Sequence, residues 1–205
     1  MLSEIRPRPT LGSALIPVSL ILAFFAIIPD TFAQTPNAAP LAVVVSVPTD
    51  TEVTVRPRRA LAGPYAKAPS LSEATEIEKH TFDLINTARH ENGVTPLTWD
   101  PELCIMARAH SADMVRRQFF SHETPDGLRM TDRAHTFGIA HFKLLGENIA
   151  FNQGFDDPGG FAVERWMRSS GHRANILNPR FQESAIGVFV ASDGTVYLTQ
   201  EFIAR

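Results

Sequence analysis

"AIGVFVASDGTVYLTQEFIAR" (residues 185–205) closes the chain, and its reading decides the fold. Two strand-like runs flank Ser192-Asp193-Gly194, a strong hairpin signal. A hairpin means an antiparallel sheet, so the upstream sequence must supply whatever covers it. In "DDPGGFAVERWMRSSGHRANILNPRF" (156–181), Asp157 and Pro158 can start a helix. Its Ala162, Val163, Trp166, Met167 and Ser170 share a face, and Gly171 is placed to end it, leaving His172 just beyond the terminus.

Before that helix, "LLGENIAFNQG" (144–154) reads as a turn feeding a short strand, with Glu147 at the junction. Two helices precede it. Ser70 and Glu73 fit a capping box, and Ile77, Thr81, Leu84, Ile85 and Ala88 recur at helical spacing. Gly93 suits a left-handed cap. Asp100 and Pro101 fit the N-cap and first position of the second helix, whose stripe runs Leu103, Ala107, His110, Met114. The order is helix, helix, irregular, strand, helix, hairpin. An α+β fold with helices on both sides of a small antiparallel sheet packs these pieces most simply.

The rest of the chain sets bounds. It has 205 residues, with Lys+Arg 19 against Asp+Glu 22, so it offers no basic field for nucleic acid. Arg6 and Arg8 precede an apolar run, Leu15 to Ile28, and then Thr31-Phe32-Ala33. This pattern predicts a signal peptide over 1–33 and leaves no stable membrane span once it is cleaved. The Pro- and Ala-rich residues 34–69 read as a disordered linker; Leu41 to Val47 could form a strand but has no visible partner. One domain remains, 70–205. Cys104 is the sole cysteine, so an exported monomer has no disulfide framework. It reads as a small core residue.

Polar chemistry collects at element ends. "FFSHETPDG" (119–127) puts His122 on a loop, Glu147 precedes a strand and His172 follows a helix. Two imidazoles and a carboxylate suit zinc and leave a fourth position for water. The 25-residue intervals between them fix no local geometry. Spacing therefore leaves open a joint metal site or three separately satisfied residues. His110, with apolar neighbours one turn away, reads as a packed, hydrogen-bonded histidine rather than a ligand. His80, His90, His135 and His141 read as surface or loop residues.

"SH" after a helix, "GENIA", a tryptophan with "GHRANILNP", and "IGVFV", in this order over about Ile77 to Phe202, resemble the CAP superfamily, which includes cysteine-rich secretory, plant pathogenesis-related and exported bacterial proteins. "SGHRANILNP" has the form of the bacterial branch. The resemblance implies an α-β-α sandwich and a cleft lined by two histidines and two acids, in some members binding a divalent metal. It assigns the cleft to His122, Glu147 and His172, with these three as metal ligands. The second acid falls where this chain has Ser169, so any metal, such as zinc, would be weakly bound. Asn148 is expected beside the cleft as a hydrogen-bond partner or as plain turn chemistry. The implied function is an exported module binding a cell-envelope, lipid or protein ligand. A metal-dependent hydrolase using the same cleft is the alternative.

Overall fold

The structure, a computed structural model, describes residues 42–46 and 74–205. The expected signal peptide, most of the expected linker and the expected Ser70/Glu73 box lie outside the described residues. Within the linker, Ala42–Ser46 forms strand β1. The partner that sequence could not supply is a strand about 100 residues onward, described below.

Helix α1 spans Glu76–Glu91, and its capping box is Thr75/Glu78. Thr75 Oγ1 accepts from the Glu78 N–H (3.3 Å), and Glu78 Oε2 accepts from the Thr75 N–H (2.8 Å). Gly93 follows the helix with φ +70°, as expected of a left-handed cap. The short strand β2, Thr98–Trp99, leads into α2, Pro101–Arg116. Asp100 caps α2 through its carboxylate, which accepts from the N–H groups of Glu102 and Leu103. The loop that sequence left irregular then forms helix α3, Met130–Thr136.

Strand β3 runs Leu144–Asn152, so Glu147 lies inside a strand rather than at a junction. Helix α4 spans Pro158–Arg168 and α5 spans Ser170–Ile176. His172 is therefore inside a helix, not past the end of one. The break falls at Ser169, whose extended backbone (φ −90°, ψ 124°) ends α4, while its carbonyl accepts from the Arg173 N–H to begin α5. Gly171 is not needed as a terminator. Strands β4, Glu183–Val190, and β5, Val196–Ala204, form the expected hairpin, with Gly194 at φ +85° in the turn.

The sheet has five strands in the order β1-β3-β5-β4-β2. All pairings are antiparallel except β2 with β4. Strand alternation divides the core into two layers. Leu144, Leu198 and Phe202 join Phe82 and Ile85 of α1 and Trp166 of α4 on one face. Leu145, Ala185 and Ile203 join Leu103 and Met106 of α2 and Met130 of α3 on the other. Full burial of side chains of this size contributes about 1.5–3 kcal/mol each. The molecule is an α-β-α sandwich.

Two contacts set the layer spacing. A Cβ added at Gly187 of β4 would lie 2.0 Å from the Arg108 backbone nitrogen and 2.3 Å from the Ala107 carbonyl carbon, so α2 approaches the sheet where a side chain is missing. Glu78, wholly buried in α1, takes a fork from Arg108 of α2 (2.7 and 2.5 Å) and accepts the Val188 N–H of β4 (3.1 Å).

Candidate functional site

The alternation that splits the core also splits the GEN motif. Glu147 points to the α2/α3 layer, and Asn148 points to the α4/α5 layer. Two buried polar clusters result, back to back at the same level of the sheet.

Around Glu147 the partners come from every neighbouring element. Its Oε1 lies 2.6 Å from His122 Nδ1, and its Oε2 accepts from Arg133 Nη2 of α3. His110 Nε2 of α2 lies 3.9 Å from Oε2. Across the ladder, Glu147 is paired directly with Glu201 of β5, whose Oε1 is 3.7 Å from Arg133 Nη2. Both carboxyls are fully buried. Burial is the largest influence on Glu147 and alone would raise its pKa, but the Arg133 guanidinium, His110 and the hydrogen bonds from His122 and Glu201 together outweigh it and hold this carboxyl well below the usual range. Glu201 is pushed the other way, by its own burial and then by the charge of Glu147. One carboxylate is ionised and its neighbour is kept neutral.

The loop carrying His122 is held from both sides. Ser121 O accepts from His110 Nε2 (3.0 Å), and His122 O accepts from Arg133 Nη1 (2.7 Å). Thr124 closes the following turn, its Oγ1 accepting from the Leu128 N–H (2.9 Å). The two phenylalanines before it diverge. Phe119 packs on His110 (5.9 Å between ring centres), and Phe120 packs edge-on against Phe151 (4.8 Å). Since Glu147 is ionised and only accepts, His122 donates from Nδ1, and its tautomer is thereby set. His122 Nε2, buried from solvent, then has no hydrogen-bond partner among the described residues.

On the opposite face, Asn148 donates to His172 O and to Gln200 Oε1 (3.3 Å each) and accepts from Asn175 Nδ2 (3.0 Å). Asn175 also donates to Glu147 O (3.1 Å). Asn148 is thus a hydrogen-bond partner rather than turn chemistry, holding the His172 backbone and tying β3 to α5. The buried His172 ring lies 6.4 Å from that of Trp166. Half-buried Ser169 sits at the α4–α5 break, where the resemblance implied an acid.

His122 and Glu147 are therefore joined, but His172 belongs to the other cluster. Among the described residues, no group of three or more His, Cys, Asp and Glu is placed to hold a metal ion. The expected His122–Glu147–His172 ligand set is not assembled. The reason is chemical as well as geometric: Arg133 and His122 already claim the two Glu147 oxygens, leaving that carboxylate an orienting group rather than a ligand. Cys104 is a core residue as read, donating to Ile186 O (3.4 Å), with burial pushing its thiol up to about 12.

Sequence reasoning missed Arg133 and Glu201 and set His110 apart from the site. Glu201 left one usable trace, since it shares strand alternation with Thr199 and Ile203 and so falls on a buried face. Arg133 left none.

The α-β-α sandwich is the fold that the resemblance to the CAP superfamily implied. The family model for CAP, the cysteine-rich secretory protein family, matches residues 82–202, and the chain belongs to this family. It is 37% identical over 151 residues to the Bacillus subtilis protein YkwD, covering 68% of this chain and 56% of YkwD. It is likewise 37% identical over 131 residues to the B. subtilis membrane protein YlbC, covering 64% of this chain and 35% of that one. The chain thus spans little more than half of one relative and about a third of the other. An extracellular protein containing an SCP domain from Bacillus anthracis superposes with a TM-score of 0.55 at 34% identity, over 63% of this chain and 40% of that one. An outer surface protein from Borrelia burgdorferi shares the fold at a TM-score of 0.56 and 18% identity, over 62% of this chain and 91% of that one.

Proposed function

We propose that the chain is an exported CAP domain that binds a cell-envelope, lipid or protein ligand without turning it over. The observation that carries this reading is the state of His122. Its Nδ1 is pinned by a buried, ionised Glu147, itself pinned by Arg133, while the buried Nε2 has no hydrogen-bond partner among the described residues. Such an imidazole is a fixed hydrogen-bond acceptor for a ligand hydroxyl or amide, oriented before the ligand arrives. Water activation by a metal would need a ligand set with an open position, and a carboxylate free to take a proton. Glu147 is committed to its neighbours and held too acidic to act as a base near neutrality, which disfavours the hydrolase.

Native mass spectrometry of the purified chain after exposure to a soluble envelope extract tests this. A stoichiometric adduct is expected in the parent and lost in a folded His122→Phe variant. Hydrolysis of ester or amide reporters at catalytic rates, abolished by the same substitution, would replace binding with catalysis.

A further inference from the structure

The outer edge of β3 is where the family domain ends and something else begins. The family match covers residues 82–202, and within that span the sheet is β3-β5-β4-β2. The strand that completes it, β1, comes from outside the match and is followed by residues 47–75 before α1. It pairs antiparallel with β3 from Ala42↔Asn148 to Ser46↔Leu144 and lies against α5. Where β1 stops, a side chain takes over, Trp166 of α4 donating to Ile149 O (3.1 Å), while inside the strip Asn175 of α5 donates to Glu147 O. The paired strip of β3 is thus bounded, and it includes Glu147 and Asn148, the residues that hold the two polar clusters.

We propose that this strip is a strand-addition site for an extended, uncharged, β-branched peptide segment from another molecule, and that the chain's own Ala42–Ser46 is a tethered occupant competing for it. Three observations carry the assignment. The edge N–H and C=O groups of β3 need hydrogen-bond partners, and an extended peptide supplies them as β1 does, whatever its origin. The resident strand, AVVVS, is uncharged and β-branched in sequence, so a segment of that composition pairs with the strip through its backbone. That strand is joined to the domain by a long connection rather than a hairpin turn, so it is held at a finite local concentration and can be outcompeted. The site is independent of the ligand reading of His122, since it needs backbone pairing and not the imidazole.

The test uses the full chain and a labelled peptide of residues 41–47 carrying a solubilising two-lysine tail. In an antiparallel ladder, of two successive residues one directs its N–H at the partner strand. A Val43→Pro/Val44→Pro double variant must therefore remove a ladder bond from β1. The double variant is expected to bind the peptide at least tenfold more tightly than the parent. A peptide with prolines at the same two positions should bind neither. Hydrogen exchange on the parent provides the second arm and does not depend on the variant folding. Excess peptide should strip protection from the amides of residues 42–46 while residues 144–148 keep theirs. Unchanged protection of 42–46 at saturating peptide, or equal peptide affinity in parent and double variant, would overturn the proposal. Loss of His122 ligand binding with peptide exchange intact would bear only on the function proposed above.

Discussion

Glu147 and Glu201 face each other across β3 and β5, with Arg133 in reach of both. Their opposite pKa shifts give the fold a divided response to pH. The raised Glu201 pKa means that its contribution is intact below the ordinary value of 4.5 and declines as pH rises toward the folded value, because the unfolded chain ionises first. His110 acts in the other direction. Burial depresses its imidazole from 6.5 to about 4, so its contribution is intact above 6.5 and falls away as pH drops toward 4. Glu201→Gln should therefore gain stability over the parent as pH rises, by up to about 1.4 kcal/mol per pH unit within its window. His110→Gln should gain on the parent as pH falls below 6.5. Urea midpoints from about pH 4.5 to about pH 7.5 would show the two opposed slopes, and parallel curves for all three proteins would refute them. The part of this cluster legible from sequence was the part carried by motif: His122 and Glu147. Arg133 and Glu201 lie 14 and 54 positions from Glu147 on other elements, and they reach it only through packing and strand register, which periodicity does not encode.

The α1 helix places Arg89 wholly inside the protein, and among the described residues no ion pair with an acid reaches it. Instead its guanidinium donates to four carbonyls, those of Thr95, Ile176, Asn178 and Phe181 (2.6–3.2 Å). These oxygens belong to the loop before β2, the last residue of α5 and the loop from α5 to β4, so one side chain fastens the α1 terminus to the chain around the end of α5. Arg89→Met would keep much of the volume and strand the carbonyls, each costing about 1–3 kcal/mol if left unpaired. The expected loss is several kcal/mol, read as a lowered urea midpoint, with hydrogen exchange rising first across residues 176–181. Arg89→Lys should recover only part, because an ammonium cannot span the same fork. Gly187 fixes a different spacing. Gly187→Ala must push α2 away through backbone rather than a flexible side chain, so a loss of about 1–3 kcal/mol is expected in thermal unfolding. Helix starts written in local chemistry, such as Asp100-Pro101, were legible. The α4–α5 break was not, because Ser169 carries no side-chain cap bond and Gly171 offered a more familiar stop. Strand β1 was legible as a strand-like run, but its pairing was not, because its partner lies about 100 residues away.

At the scale of the whole molecule, the two core layers were readable from element order, whereas the assignment of each site histidine to a layer was not. That assignment depends on whether a residue of β3 is odd or even, and the sequence places Glu147 and Asn148 side by side. Export belongs to this scale too. N-terminal sequencing of protein secreted by the native host should begin near Gln34, and recovery of the intact Met1 end would exclude cleavage there. The parity of β3 has a consequence for assembly. Were β3 to slide by one residue against β5, every side chain would change face. Asn148 would then meet the guanidinium in place of an acid, and the Glu147 carboxylate would be thrust at the His172 carbonyl, negative oxygen against negative oxygen. Apolar neighbours such as Leu144 and Leu145 are the same residue and could trade places at little cost, so shape alone would forgive the error. The adjacent glutamate and asparagine make it intolerable. They serve the sheet as a parity bit, by which a miscounted strand is rejected before its helices can close over it.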